Sequence, residues 1–331
     1  MSSGTNHNPE VIGQAIRDAR TIVVCSHINP DGDTLGCATA IRLALLRMGK
    51  QVTLVCDGKI PDQLAFLPGA DTFLRPEQAS GFFDLMLAVD VSDEGRLGGC
   101  RDLMDRCRHT AQIDHHPTNP LYMQANYVDG KSPAACILIR RQLRELGIPL
   151  DRDIAICLYT GISTDTGNFS FNATNAETFE VMAELMRCDL PLSELSRVLF
   201  RERSRQQLAL MGRAISKLRY EGDGRIAVIP LTKRDFQECG ALSEHADTIV
   251  NLGLETTGTE MALLARETGD GQIKFSLRAK SPGRIDDVAT MLGGGGHPQA
   301  SGITLTGTLE TLTDQVVRAM IQKLKNERTT E

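Results

Sequence analysis

The sequence predicts an α/β protein: a parallel-sheet domain joined by helices to a smaller α+β C-terminal domain. Three observations carry this. Strand-like and helix-like runs alternate through the first half of the chain, as in a doubly wound sheet. Short acidic clusters stand directly after three of the strand-like runs, where the carboxyl ends of parallel strands face one crevice. Beyond residue 222 the alternation gives way to longer strands with helices between them. The 331 residues suffice for two domains of roughly 100–200 residues each.

The elements follow in order. TIVVC (21–25), QVTLVC (51–56), LMLAVD (85–90) and TAQID (110–114) read as strands. Helix-like runs cover 34–48, roughly 96–107 and 133–146, and two more follow at 152–163 and 175–188. Residues 191–220 read as joining helices without a Gly/Ser-rich linker. GDGRIAVIPL (222–231) opens the second domain, with strands expected at 225–230, 260–266, 272–279 and 302–306. Its helices are expected at 243–252, 284–291 and 309–326. The division is therefore 1–190, a helical linker 191–221, and 222–331.

Composition narrows the function. Hydrophobic residues make up 41% and charged residues 24%, which fits a globular enzyme and not a disordered chain. Trp is absent and aromatics are only 4%, so there are few platforms for stacking bases of a long single strand. The net charge of −6 disfavours a protein that wraps long nucleic acid and suits small anionic substrates held by local Arg and Lys. The basic stretch from Arg197 to Arg219 reads as a solvated helix surface. Nine Cys without a CxxC pair read as small buried hydrophobes in a reducing compartment, and a thiolate zinc site lacks its spacing. No apolar stretch approaches the ~18 residues of a membrane span, and MSSGTNHNPE has no signal-peptide core. The expected location is the cytoplasm, with no membrane partner. A homodimer is compatible with the chain, but no pattern specifies one.

Four clusters carry chemistry. His27, Asp31 and Asp33 share a turn tightened by Pro30 and Gly32, and a helix follows at once. Asp90 ends a nearly apolar run and needs a partner for its half-buried carboxylate. Asp114-His115-His116 sets two imidazoles side by side at a strand end. Asp165 closes the run IAICLYTGISTD just before Gly167. Taken singly, each also reads as a turn or a helix cap. Together they crowd carboxylates that cannot all stay ionised without cations, which suggests a two-metal hydrolytic centre.

HINPDGD, DVSD, DHH and GISTDTG, in this order and spacing, resemble the four motifs of the DHH phosphoesterases. GGGGHPQASG (293–302), with FSLRAK (275–280) before it, resembles the DHH-associated C-terminal domain. The resemblance runs from about residue 12 to 327, and the two-domain length is most similar to the oligoribonuclease/pAp phosphatase branch (pAp is 3′-phosphoadenosine-5′-phosphate). It implies an active site in an interdomain cleft and two Mn²⁺ ions, with Mg²⁺ or Co²⁺ as substitutes. One ion would sit on His27, Asp31 and Asp90, the other on Asp33, Asp90, His115 and Asp165, with Asp90 bridging. His116 would lie at the scissile phosphate. Asp114 and Asp93 would act one layer further out. Arg278, Lys280, Gly295, Gly296 and His297 would bind substrate phosphate.

The implied activity is hydrolysis of short RNA to 5′-mononucleotides and of pAp to AMP. A phosphodiesterase of cyclic dinucleotides or their linear products is the alternative. An inorganic pyrophosphatase, a processive nuclease of the RecJ type and a non-catalytic nucleotide sensor fit the sequence less well.

Overall fold

The computed structural model describes residues 5–269, 271–280 and 282–328. The chain divides between Glu202 and Arg203 into two compact units. That division falls inside the span expected as a helical linker.

The first unit opens with α1 (Pro9–Asp18), whose N-cap is Asn8 with proline at the first turn. Its sheet contains β1 (Thr21–Ser26), β2 (Gln51–Cys56), β3 (Phe73–Leu74), β4 (Phe83–Val89), β5 (Cys107–Asp114) and β6 (Ala125–Val128). All pairings are parallel and the order is β3-β2-β1-β4-β5-β6. The order reverses between β1 and β4, so the crevice outside the carboxyl ends of those two strands is the natural ligand position. α2 (Gly32–Arg47), α3 (Ala135–Glu145), α4 (Arg152–Asp165) and α5 (Ala176–Met186) complete the layer structure.

β1 shows why the sheet is buried on both faces. Ile22 and Val24 join one apolar cluster with α2, α3 and α4, while Val23 and Cys25 join another with Leu97 and Leu103. Each fully buried Ile or Leu contributes about 1.5–3 kcal/mol. The strand ends, and the polar residues just beyond them, are thereby held in place.

After α6 (Leu192–Ser196) and a π turn at Arg197–Arg201, the second unit begins with α7 (Arg205–Lys217). It contains β7 (Arg219–Glu221), β8 (Ile226–Leu231), α8 (Lys233–Cys239), α9 (Val250–Leu254), β9 (Met261–Glu267) and β10 (Gln272–Ala279). Then come α10 (Asp286–Met291), β11 (Gly295–His297), β12 (Ala300–Thr306) and α11 (Leu309–Arg328). The sheet order is β11-β12-β10-β9-β8-β7; β8 and β9 run parallel and the other pairs antiparallel. Arg213 pairs with Glu238, and Lys217 with the buried Asp235, so these two cations of the basic stretch are tied to α8 and not left to solvent. Among the described residues, no helix is long and apolar enough to cross a membrane.

Several expectations shift. The helix expected at 96–107 is 3₁₀ structure over Glu94–Arg106, broken at Gly98 (φ 55°), and β5 already begins at Cys107. The helix expected at 243–252 splits into a short turn, Ser243–Ala246, and α9. α2 starts at Gly32 rather than 34, because Asp31 and not Asp33 is its N-cap, accepting from the Asp33 and Thr34 amides. α1, β3, β6, β7, α8 and β11 were not expected from the periodicity. The strands among them have two to four residues, too short for a repeating pattern to register.

Candidate metal centre

Each strand end delivers one part of the site. β1 runs into His27, buried at 2% exposure, and the following loop brings Asp31 to the mouth of α2. Asp33, in the first turn of α2, is fully buried. Its Oδ2 accepts from the Ala135 amide at 2.5 Å and its Oδ1 from the Cys136 amide at 3.0 Å. Those amides open α3, whose own N-cap, Ala134, has no capping side chain. Asp33 therefore caps α3 from another helix while keeping lone pairs free.

β4 runs into Asp90, which adopts φ 58° and is 2% exposed. A non-glycine residue held in that left-handed region carries strain, tolerated where the surroundings fix it. Its amide donates to Ile113 O at 2.9 Å, which ties β4 to β5 beyond their ladder. Its Oδ1 is buried with no hydrogen-bond partner. β5 ends at Asp114, and His115 and His116 follow. α4 delivers Asp165 at its last turn, where the chain leaves through Gly167.

These residues converge. His27 Nε2 lies 3.5 Å from Asp31 Oδ2 and 3.6 Å from Asp90 Oδ2. His115 Nε2 lies 3.2 Å from Asp165 Oδ2, 3.5 Å from Asp90 Oδ1 and 3.9 Å from Asp33 Oδ2. Asp90 thus sends one oxygen toward each histidine. The ligand atoms of His27, Asp31 and Asp90 lie within 4.8 Å of one another, as do those of Asp33, His115 and Asp165. His27 Nδ1 sits 2.7 Å from Ile28 O and His115 Nδ1 3.1 Å from Ser132 O. A carbonyl only accepts, so each Nδ1 carries a hydrogen, and each Nε2 offers a lone pair once its own proton has left.

The donors are carboxylate oxygens and imidazole nitrogens, which suit hard divalent cations. A cation would satisfy the partnerless Asp90 oxygen, since a buried carboxylate oxygen left alone is costly. A further group, Asp33 with Cys37 and Cys136, is fully buried, and burial holds both thiols well above their ordinary range. Thiols kept protonated are poor ligands.

A model of the DHH family N-terminal domain matches residues 21–162, and one of the DHHA1 domain matches 236–326. A bifunctional oligoribonuclease and PAP phosphatase of Thermus thermophilus is 31% identical over 305 residues, 92% of this chain and 90% of its own length. The chain belongs to the DHH family. Like that family, it is a metal-dependent phosphoesterase. A solved structure of an exopolyphosphatase-related protein from Bacteroides fragilis shares the fold, with a TM-score of 0.90 at 24% identity. It covers 96% of this chain and 97% of that one. A cyclic-di-AMP phosphodiesterase of Geobacillus thermodenitrificans is 25% identical over 98% of this chain but 50% of its own length.

Within the DHH domain the crowding of acids sets the protonation. Burial, then the neighbouring Asp33, pushes Asp90 well above the usual carboxylate range. The same two causes push Asp165 up to about 7. Burial would lower His27, but Asp31 and Asp90 overcome it and raise the ring to about 10. His115 likewise rises to about 9 through Asp33, Asp90 and Asp165. Without a cation, this centre holds protons in a cation's place.

His116 is held differently. Its Nδ1 lies 2.7 Å from Asp114 Oδ1, and Asn119 Nδ2 donates to Asp114 Oδ2 at 2.6 Å. Burial would raise Asp114, yet His116 and Asn119 keep it below the ordinary carboxylate value. Nε2 is left as the ring nitrogen that can meet a ligand. Asn119 and Ser132 escaped the sequence reading. The signal for Asn119 was a polar residue in HHPTNP, three positions beyond the tripeptide. Asp93 caps the 3₁₀ segment, accepting from Arg96 N at 3.1 Å, and among the described residues belongs to no candidate metal group.

In the DHHA1 domain, Arg278 and His297 pair with Ala300 from opposite sides, which puts them in one row across β10, β12 and β11. Arg278 is half-buried, and burial lowers its guanidinium. Its only hydrogen bond among the described residues goes to Leu277 O at 3.0 Å. Lys280 lies just past the end of β10 and donates to Thr256 O at 3.2 Å. Gly296 (φ 145°) is required by the close approach of β12, because a Cβ there would meet Ala300 O at 2.5 Å. A Cβ at Gly295 would point into open space.

Proposed function

We propose that the protein is a two-Mn²⁺ phosphoesterase that cleaves the 3′ P–O bond of short 5′-phosphorylated RNA and of pAp. The 5′-mononucleotide leaves through its 3′-oxygen, which for pAp is AMP. The observation that carries the reading is Asp90, buried, strained, and aimed with one oxygen at each of two His/Asp groups. The relative that hydrolyses oligoribonucleotides and PAP, matched over nine-tenths of both chains, supports the substrate class.

His27, Asp31 and Asp90 would hold one ion, and Asp33, Asp90, His115 and Asp165 the other. Ions held there would supply water activation and charge neutralisation at the phosphoryl oxygens. The chain supplies the rest. His116 donates from Nε2 to the phosphoryl group, and Asp114, steadied by Asn119, keeps its ring oriented. Arg278, with no carboxylate partner among the described residues, grips the 5′-phosphate together with Lys280. The backbone of Gly295, Gly296 and His297 joins that contact. The two substrates share a nucleoside with phosphate on both its 5′ and 3′ oxygens, so one geometry serves both.

The test is product analysis with Mn²⁺ on pApA, pAp and cyclic-di-AMP in parallel, with Asp165→Asn as control. AMP from pApA and pAp, with cyclic-di-AMP spared, is expected. The relative that hydrolyses cyclic-di-AMP supports a second reading, which fastest turnover of the cyclic substrate would select. Near wild-type turnover in Asp165→Asn with normal metal content would sink the two-ion assignment.

A further inference from the structure

Beside His116 the first unit contains an open cavity of about 560 Å³, within the ~300–1,000 Å³ of small-ligand sites. Its walls come from the 116–121 loop, the 128–131 turn and Asn6. Pro117, Leu121 and Val128 give it an apolar side, and Lys131 gives it a cation.

The walls are fixed to the catalytic layer. Asp129 N donates to Asp114 O at 3.1 Å, and Ser132 N donates to Asp129 O at 2.9 Å. Ser132 O in turn holds His115. Asn6 bonds both backbone groups of Val128, Nδ2 to the carbonyl at 2.8 Å and Oδ1 from the amide at 2.9 Å. Leu121 is held at φ 59° by its amide, which donates to Asn119 Oδ1 at 2.8 Å. Asn119 also orients Asp114, so the residue that sets the apolar wall sets His116 as well.

The charges sort themselves. Asp129 is consumed: its Oδ2 accepts from Arg141 at 2.8 Å and its Oδ1 from the Lys131 amide at 3.1 Å. Among the described residues the Lys131 ammonium makes no hydrogen bond, and its side chain is exposed. An apolar wall beside the His116 imidazole, ending in a cation, fits a nucleoside followed by a phosphate.

Resting on the proposed function, we propose that this cavity receives the nucleoside downstream of the scissile phosphate, and that Lys131 binds the next phosphodiester. The two substrates differ at this point. RNA carries a nucleoside on the far side of the reacting phosphorus, whereas pAp ends there. The cavity is therefore a length-sensing subsite that pAp leaves empty.

The test compares pAp, pApA and pApApA on the Mn²⁺-loaded full chain, as wild type, Lys131→Ala and Lys131→Arg. Lys131→Ala is expected to lower kcat/KM for pApApA at least tenfold more than for pAp, through KM, and Lys131→Arg to restore most of it. In an Asp165→Asn background, fluorescence anisotropy of 3′-labelled pApApA should show the same loss of affinity. Equal losses on pAp and pApApA would overturn the subsite, placing the shared 5′-nucleotide in the cavity. No change on any substrate would overturn it too. Absence of wild-type turnover on both pAp and RNA would sink the parent reading alone, because the anisotropy arm would still read the cavity.

Discussion

Asp90 concentrates the chemistry in one residue. A buried carboxylate in a left-handed backbone, crowded by Asp33 and Asp31, destabilises the metal-free chain. Asn is among the residues that tolerate that backbone region. Asp90→Asn is therefore expected to raise the melting temperature of the metal-free protein at alkaline pH while cutting Mn²⁺-dependent turnover by more than about a hundredfold. A fall in metal-free stability would show that the carboxylate is structural. The neighbouring groups fix a pH dependence. Asp165 is raised to about 7, so the folded chain holds a proton the unfolded chain has released, and stability declines as pH rises from the ordinary carboxylate range through 7. His27 and His115 are raised to about 10 and 9, so their contribution is complete below the ordinary imidazole pKa and is lost through 9–10. Both trends have one sign. Calorimetry should find the metal-free protein losing stability across this span while Mn²⁺ affinity climbs, as departing protons free the ligands. Much of this site was legible in the sequence, because carboxylates that end apolar runs are conspicuous. Asn119 and Ser132 were not, since one acts through an amide side chain and the other through a backbone carbonyl that any residue supplies.

At the scale of elements, the crossing of α2 and α4 brings Asp33 and Asp165 together. The helices approach so closely that a Cβ at Gly36 would come within 2.5 Å of the Cys157 carbonyl. Gly36→Ala must push the helices apart, and about 1–3 kcal/mol of destabilisation is expected. Because the shift reaches the site, weaker Mn²⁺ binding should accompany the lower melting temperature. Unchanged metal affinity would mean that the helix ends are positioned independently of the crossing. The long strands and helices could be read from their periodicity. Two-residue β3 and three-residue β11 could not, because only neighbouring strands hold such segments in place. The capping of α3 by Asp33 was equally invisible, since it spans about a hundred residues of sequence.

For the whole molecule, each apolar cluster of the described residues lies on one side of Glu202 in the sequence. Those of the first unit end at Leu199, and those of the second begin at Leu210. Each unit has a core of its own, so each is expected to fold alone. All six candidate metal ligands lie in the first. A fragment of residues 1–202 should bind Mn²⁺ with the stoichiometry of the full chain yet lose most turnover of pApA, because Arg278 and Lys280 are gone. Full activity in the fragment would remove the second unit from catalysis. One detail also bears on ancestry. Asp33 caps a helix besides being a candidate cation ligand, whereas among the described residues Asp165 and His115 cap none. A lineage that abandoned hydrolysis could let those two drift while selection for folding preserved Asp33. The aspartate alone, surviving in an otherwise eroded site, would be the relic of a lost enzyme.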